Sequence, residues 1–195
     1  MKAFQSIYLF IILLMVPVSV GAQDFAVKTN LLYDATATIN LGVEFPVAKR
    51  LTLDISGNFN GWDWKDNMKW KHWMVQPELR LWTCNRFAGH FFALHAIAGQ
   101  YNIGNISNSI DFLGTPLKNL SHNRYEGWAA GGGIGYGYAL PLSRHLNLEF
   151  EVGAGVIWTR YDSFDCDICN RKNAERQDHL YWGPTKLALG IVYLF

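Results

Sequence analysis

The last nine residues constrain the fold of this chain more than any other feature. From Leu187 to Phe195 a bulky apolar or aromatic side chain stands at every odd position, and the even positions include the small residues Ala188 and Gly190. A period of two is typical of a β-strand whose two faces meet different surroundings. The chain therefore ends in a strand with one strongly apolar face and an aromatic final residue.

The same alternation recurs in seven earlier segments that are separated by turn residues. The first apolar stripe runs through Phe25, Val27, Thr29, Leu31 and Tyr33, and the later stripes begin at Ile39, Leu51, Trp73, Phe92, Trp128 and Leu146. Half of the 195 residues are hydrophobic and 15% are aromatic. After residue 22, however, no apolar run is long enough to cross a bilayer as a helix. Hydrophobicity distributed in this way is typical of a transmembrane barrel.

The connections between these segments alternate in length. Those after the second, fourth and sixth segments are short (46–50, 83–89 and 141–145), and those after the third, fifth and seventh are long (61–71, 104–124 and 161–180). Bacterial outer-membrane barrels have short periplasmic turns and longer external loops. The sequence thus predicts an all-β fold, an eight-stranded antiparallel up-and-down transmembrane β-barrel with both termini in the periplasm.

The N-terminal segment is typical of a secretory signal peptide. Lys2 precedes an apolar run from Ile7 to Val18, and small residues at 20–22 fit a cleavage site. Pro17 interrupts the run, which argues against a membrane-spanning helix. We therefore expect a signal peptide at residues 1–22 and a barrel domain at residues 23–195. Without Lys2 the chain carries 16 basic and 16 acidic residues, so its charge gives no reason to expect nucleic acid as a partner.

Eight charged residues have the parity opposite to the apolar stripe of their strand. They are Lys28, Glu44, Asp54, Glu78, Arg80, Glu149, Glu151 and Lys186. Because a Lys or Arg facing lipid at mid-bilayer costs about 2–4 kcal/mol, these side chains should point into the barrel. A soluble, lipocalin-like barrel is the alternative, but its lumen would have to hold too many aromatic rings.

An eight-stranded barrel is just wide enough inside for its own side chains, so we expect a filled interior rather than a pore. Buried charges there must be paired. Further polar partners would be His95, Tyr101, Asn30, Asn58, Gln76 and trapped water. This polar network would serve as a structural core, with a proton or ion path as the alternative.

A glycine-rich run from Gly131 to Gly137 lacks the strand-turn-helix context of a nucleotide-binding loop. Its odd-numbered glycines share the inward parity, and Gly153 and Gly155 repeat the pattern on the next strand. We expect a bare patch on the inner wall. Either a small ligand fills it or large side chains opposite do so, with Arg80, Trp82 and Tyr101 as candidates.

Seven tryptophans lie in or near the long connections. We expect them to form an aromatic girdle at the outer membrane interface, or alternatively to stack on sugar or a partner protein. They are Trp62, Trp64, Trp70, Trp73, Trp128, Trp158 and Trp182.

Cys166 and Cys169 form a C-x-x-C pair in the last long connection. A disulfide is the expectation for an exported protein, and a redox pair or half of a zinc site is the alternative. Cys84 is left unpaired.

Three segments resemble an uncharacterised family of short outer-membrane barrels from Bacteroidetes, a "domain of unknown function" family. They are residues 28–34, residues 70–78 together with Arg80 and Trp82, and residues 89–92 together with His95. Members often occur beside genes for fimbriae or other surface assemblies. The resemblance implies an outer-membrane barrel, and it supplies no catalytic residues.

We therefore expect a non-enzymatic barrel that presents external loops for adhesion, fimbrial anchoring and assembly, or envelope integrity. Its partners would be outer-membrane lipid, lipopolysaccharide and a surface or fimbrial protein, and it would be a monomer without cofactor or metal. The alternative is an outer-leaflet enzyme that hydrolyses or transfers acyl chains of lipid A. His72, His122 and His179, with Ser121 and Ser163, would be its candidate residues, but no spacing among them indicates a catalytic group.

Overall fold

The chain forms a closed barrel of eight antiparallel strands in the order in which they occur in the sequence. The computed structural model describes residues 25–62, 69–104, 123–165 and 172–195. Its elements are β1 (Ala26–Asn30), α1 (Leu31–Ala35), β2 (Ile39–Ala48), β3 (Leu51–Asn60), β4 (Lys69–Trp82), β5 (Gly89–Gly104), β6 (Asn123–Pro141), β7 (Leu146–Asp165) and β8 (Lys172–Leu194). β1 closes the ring by pairing with β8 from Ala26 opposite Leu194 to Asn30 opposite Gly190. The predicted all-β, eight-stranded up-and-down fold is confirmed.

The side chains are distributed in the reverse of the usual way. In the described part of the chain, 29 large apolar or aromatic side chains are exposed, whereas only nine hydrophobic residues are buried. Along β6, for example, Ile134, Tyr136 and Tyr138 are exposed, whereas Gly137 and Ala139, which have the opposite parity, are buried. The alternation of each strand thus places its apolar stripe on the outside of the barrel.

The first strand is shorter than the alternation predicts. β1 ends at Asn30, whose side chain accepts hydrogen bonds from the backbone N–H groups of Leu32 and Leu189 and caps a single helical turn. Asn is a favoured N-cap residue, and here it also ties α1 to β8. Leu31 and Tyr33 therefore belong to α1 and not to the outer stripe of a strand. None of the helices in the described ranges is long and apolar enough to cross a membrane.

The two ends of the barrel differ. We call the end with the β2–β3, β4–β5 and β6–β7 connections the turn end, and the opposite end the loop end. β6, β7 and β8 contain 19, 20 and 23 residues, against 10 each in β2 and β3. The predicted loop at 161–180 is thus wrong for most of its length, because β7 and β8 continue through it as a paired ribbon.

A layer of apolar side chains closes the turn end. Its members, which we call the base layer, are Ala26, Trp82, Phe87, Phe91, Ala93, Ala139, Val192 and Leu194. Phe87 lies in the β4–β5 turn with a positive φ of 61° and is only 3% exposed. Asn147 donates a hydrogen bond of 2.5 Å to its carbonyl oxygen, so the turn is fastened beneath the barrel.

Candidate functional site

The charged side chains predicted to point inward lie together in the middle of the barrel. Six strands contribute to this ion layer: β1 (Lys28), β2 (Glu44), β3 (Asp54), β4 (Glu78, Arg80), β7 (Glu149, Glu151) and β8 (Lys186). The side chains are at most 9% exposed. The layer lies directly above the base layer, because Trp82 of the base follows Arg80 on the same face of β4.

Arg80 is the centre of the ion layer. Its guanidinium contacts all five carboxylates, at 3.0 Å from Glu44, 3.6 Å from Asp54, 2.5 Å from Glu78, 2.8 Å from Glu149 and 2.9 Å from Glu151. It also lies over the ring of Phe91, with 4.6 Å between Cζ and the ring centroid. A planar guanidinium has five N–H donors in a fixed fork, which suits it to bridge several carboxylates at once.

Two lysines on the neighbouring strands β1 and β8 complete the layer. Lys28 forms ion pairs with Glu44 and with Glu149, the latter at 3.3 Å. Lys186 pairs with Glu78 and, at 3.2 Å, with Glu151. Five carboxylates against three cations leave a formal excess of two negative charges in the described part of the interior. A buried excess of this size requires bound protons, water or a further cation.

Water has room beside the layer. A cavity of about 40 Å³ is lined by Asp54, Glu149 and Glu151 among other residues. Each of these three carboxylates has one buried oxygen without a hydrogen-bond partner. A polar cavity of this size can hold water, which would supply the missing hydrogen bonds.

His95 joins the layer from β5. Its Nε2 lies 2.8 Å from the Thr185 hydroxyl, and its ligand atom groups with those of Glu78 and Glu151 within 4.8 Å. His and two carboxylates are a donor set that transition metals accept. The Lys186 ammonium, however, already contacts both carboxylates, so the structure favours a hydrogen-bonded ion pair at that position.

The glycine patch lies on the inner wall, as the sequence predicts, but the side chains that cover it are not the ones predicted. A Cβ on Gly137 would come within 2.2 Å of Cζ of Phe91, and one on Gly153 within 2.8 Å of Cε1 of His95. Both of these side chains come from β5, which is next to Gly137 on β6 and one strand further from Gly153 on β7. The prediction that Arg80, Trp82 or Tyr101 fills the space is therefore wrong for these two glycines. Arg80 instead lies over the ring of Phe91.

The prediction of a filled interior is wrong for the loop-end half. On the loop-end side of the ion layer lies a cavity of about 1360 Å³, which we call the loop-side cavity; part of it reaches the outer surface of the barrel, where exposed Phe92, Ile134 and Tyr136 also line it. Inward-facing residues that line it include Trp70, Met74, Ile97, Tyr101, Ala129 and Ile157. Gly99 and Gly135 also line it, and their lack of side chains leaves this space unfilled. Tyr33 belongs to the lining as well, because it sits on α1.

The amides predicted as partners take two positions. Asn58 donates a hydrogen bond of 3.3 Å to Gln76, and both side chains are buried on the inner wall of β3 and β4. Asn30 lies at the end of β1, where it donates to the carbonyl of Leu187. These residues line the wall above the ion layer and do not contact its carboxylates through the hydrogen bonds described here.

The residues of the enzymatic alternative are not brought together where the structure describes them. His72 lies on β4 and lines the loop-side cavity, and one nitrogen of its ring is buried without a partner. His179 is exposed on β8, whereas Ser163 is buried on β7, opposite Tyr125. Ser121, His122, Cys166, Cys169 and Trp64 lie outside the described residues. Cys84 is exposed and carries a free thiol.

Five of the tryptophans form an exposed set near the loop end. They are Trp62, Trp73, Trp128, Trp158 and Trp182. Trp73 and Trp128 pack edge to face with 5.7 Å between ring centroids. Trp70 departs from the predicted girdle, because its position on β4 has the inward parity and it lines the loop-side cavity.

A charged pair lies beside these tryptophans on the two longest strands, where Arg160 is paired opposite Trp128. Arg160 of β7 donates two hydrogen bonds to Asp178 of β8, at 2.8 and 3.3 Å, and both side chains are about half exposed. The hydrogen bond from Arg160 lowers the pKa of the Asp178 carboxyl from its ordinary value. This part of β7 and β8 is polar and accessible to water, whereas the outer surface of the barrel below it is apolar.

Sequence reasoning missed Phe91 and Thr185. Phe91 shares the inward parity of His95, but the fifth segment is apolar on both faces, so its alternation could not identify which aromatic ring points inward. Thr185 is placed beside His95 by an irregularity in the β7–β8 pairing.

Comparison with known proteins places the chain in a family. A family model described as "Protein of unknown function (DUF3575)" matches residues 8–195. No curated protein and no solved structure gives a significant match. Because the match covers nearly the whole chain, the protein belongs to this family of unknown function, DUF3575.

Proposed function

We propose that this protein is a non-enzymatic barrel of the bacterial outer membrane that presents its loop end at the cell surface. There it would serve adhesion, fimbrial anchoring and assembly, or envelope integrity. The observation that carries the proposal is the inverted distribution of side chains, with 29 large apolar or aromatic groups exposed and the ion layer sealed inside. An exposed apolar surface of this extent is far larger than soluble monomers carry, and a bilayer is the surrounding that stabilises it.

The dimensions agree with membrane insertion. A tilted strand of about 9–11 residues crosses a bilayer, and β2 and β3 have 10 residues each. β7 and β8 are about twice that length. Their surplus lies at the loop end and carries the Arg160–Asp178 pair. This projecting ribbon is the part of the described chain best placed to contact a partner outside the membrane.

The interior supports a role other than solute transport. The base layer and the ion layer both cross the lumen, and the cavity beside the ion layer that Asp54, Glu149 and Glu151 line has a volume of only about 40 Å³. A charge network joined by Arg80 to five carboxylates cannot move aside without exposing several unpaired ions. The function we propose therefore lies on the outside of the barrel.

Whole-cell labelling tests the proposal. In a background with the three cysteines replaced by serine, Gln177→Cys lies on the projecting ribbon and Ser143→Cys in the β6–β7 turn. Both positions are exposed in the structure. We expect a membrane-impermeant maleimide to label Gln177→Cys on intact cells, and to label Ser143→Cys only after the outer membrane is opened. Recovery of the protein in the soluble fraction, or labelling with the two positions reversed, would contradict the proposal.

A further inference from the structure

The loop-side cavity and the barrel wall next to it together suggest a ligand site. At about 1360 Å³, including the part at the outer surface, the cavity exceeds the 300–1,000 Å³ of common small-molecule pockets. Its lining is dominated by apolar and aromatic groups, among them Met74, Ile97 and Ile157. An apolar cavity of this size gains little from water, because water finds few hydrogen-bond partners there.

The wall of the cavity is irregular between β7 and β8. Gly153 pairs with Lys186 and Ala154 with Pro184, so Thr185 has no partner and the ladder shifts by one residue. Pro184 has no backbone N–H to donate, which weakens the pairing further at this point. The ladder between β7 and β8 is thus interrupted at the level of the cavity.

The cavity reaches both faces of the wall at this irregularity, and it also contacts exposed residues of β5 and β6 such as Phe92 and Ile134. Thr185 and Gly153 face inward, whereas Val152, Ala154 and Leu187 belong to the exposed outer surface, and all five residues line the cavity. In a barrel embedded in a bilayer, the material next to those outer residues is lipid acyl chain.

We propose that the loop-side cavity binds one acyl chain of a membrane lipid, which enters from the side between β7 and β8. This inference rests on the membrane insertion proposed above. The chain replaces the missing side chains over the glycine-bearing wall and buries apolar surface that would otherwise line an empty space. The ion layer forms the floor of the site and limits how deep the chain can go. The lipid headgroup stays outside the wall.

Photocrosslinking in vesicles tests this proposal. The protein is inserted into phosphatidylethanolamine and phosphatidylglycerol vesicles that contain one of two probes. The first is a fatty acid with a diazirine at the end of its chain, and the second is a phosphatidylethanolamine that carries the same acyl chain. Crosslinked residues are then mapped by peptide mass spectrometry. We expect crosslinks on inward-facing Met74, Ile97 or Ile157 in addition to those on outer residues such as Leu94. The probe that yields inward crosslinks identifies whether a free fatty acid or a phospholipid supplies the chain.

Two neighbouring alanines on β6 provide a matched pair of variants. Ala129 lines the cavity, and Ala130 is exposed on the outer face. We expect Ala129→Phe to lower the inward crosslinks about tenfold, the change that a loss of roughly 1.4 kcal/mol in binding produces. Ala130→Phe should leave them unchanged. The wild-type map decides the question even if Ala129→Phe does not fold.

The possible failures are distinguishable. Crosslinks confined to outer residues would overturn the acyl-chain site and leave membrane insertion standing. Inward crosslinks that Ala129→Phe leaves at the wild-type level in the folded protein would also overturn the site. The absence of crosslinks on either face would contradict membrane insertion itself.

Discussion

Replacing Arg80 with methionine should destabilise the barrel more than any other single charge removal described here. The guanidinium lies within 3.6 Å of all five carboxylates of the ion layer, and its side chain is only 3% exposed. Methionine keeps much of the side-chain volume over Phe91 but removes the charge. The formal excess of negative charge among the described interior groups then rises from two to three.

Breaking a buried ion network by removing one partner costs about 3–5 kcal/mol. Folded domains are stable by about 5–15 kcal/mol in total, so a loss of this size is a large fraction of the stability. The free energy of unfolding can be measured by urea titration in detergent micelles, followed by tryptophan fluorescence and by the heat-dependent shift of the band on a gel. We expect the Arg80→Met transition to move to clearly lower urea concentration without a change in slope.

Arg160→Met is the matched control, since Arg160 forms its ion pair with Asp178 at about half exposure. Its transition should coincide with that of the wild type within error. Adding Glu149→Gln to Arg80→Met should recover part of the loss, because it removes one of the carboxylates left without a partner. An Arg80→Met protein with the wild-type midpoint would refute the reasoning that the ion layer depends on this guanidinium.

Three further predictions follow from the same structure. Gly137→Leu would collide with Phe91 and should cost about 1–3 kcal/mol of unfolding free energy, whereas Tyr138→Leu on the outer face of the same strand should change it little; equal midpoints in urea would contradict the close packing. Glu151→Gln should lose no more than about 1.5 kcal/mol, because it keeps an acceptor for Arg80 and removes one excess charge; a loss as large as that of Arg80→Met would show that the charge is needed. The wild-type protein should give no stable conductance steps in planar bilayers, since the base and ion layers cross the lumen; steady steps would indicate an open path.

The alternation of apolar and polar residues was sufficient to predict that there are eight strands. It also predicted the face on which most strand side chains lie, because residues of the same parity in a strand share a face. The charged residues of the ion layer illustrate this: each stands opposite an apolar stripe, and the structure buries all of them. The helical turn at Leu31–Ala35 was hidden, since Leu31 and Tyr33 continue the alternation and only the capping by Asn30 distinguishes them from a strand.

Features that depend on depth or on neighbouring strands could not be predicted in this way. The extension of β7 and β8 was missed because their polar residues near Arg160 and Asp178 lie beyond the apolar belt and carry no alternating hydrophobicity. The loop-side cavity was missed for a different reason. Whether a glycine is covered depends on the register of the next strand, which places the Phe91 ring on Gly137 but only the Ala93 methyl group beside Gly135.

The central claim is that the exposed apolar stripes contact lipid, and one substitution tests it most directly. Ile134 is 70% exposed and lies midway along the apolar stripe of β6. We expect Ile134→Arg to lower the free energy of unfolding by about 2–4 kcal/mol when the protein is folded into lipid vesicles, because an arginine at mid-bilayer must leave water. An exposed isoleucine in contact with water could be replaced at almost no cost. An unchanged unfolding free energy for Ile134→Arg would therefore contradict the account.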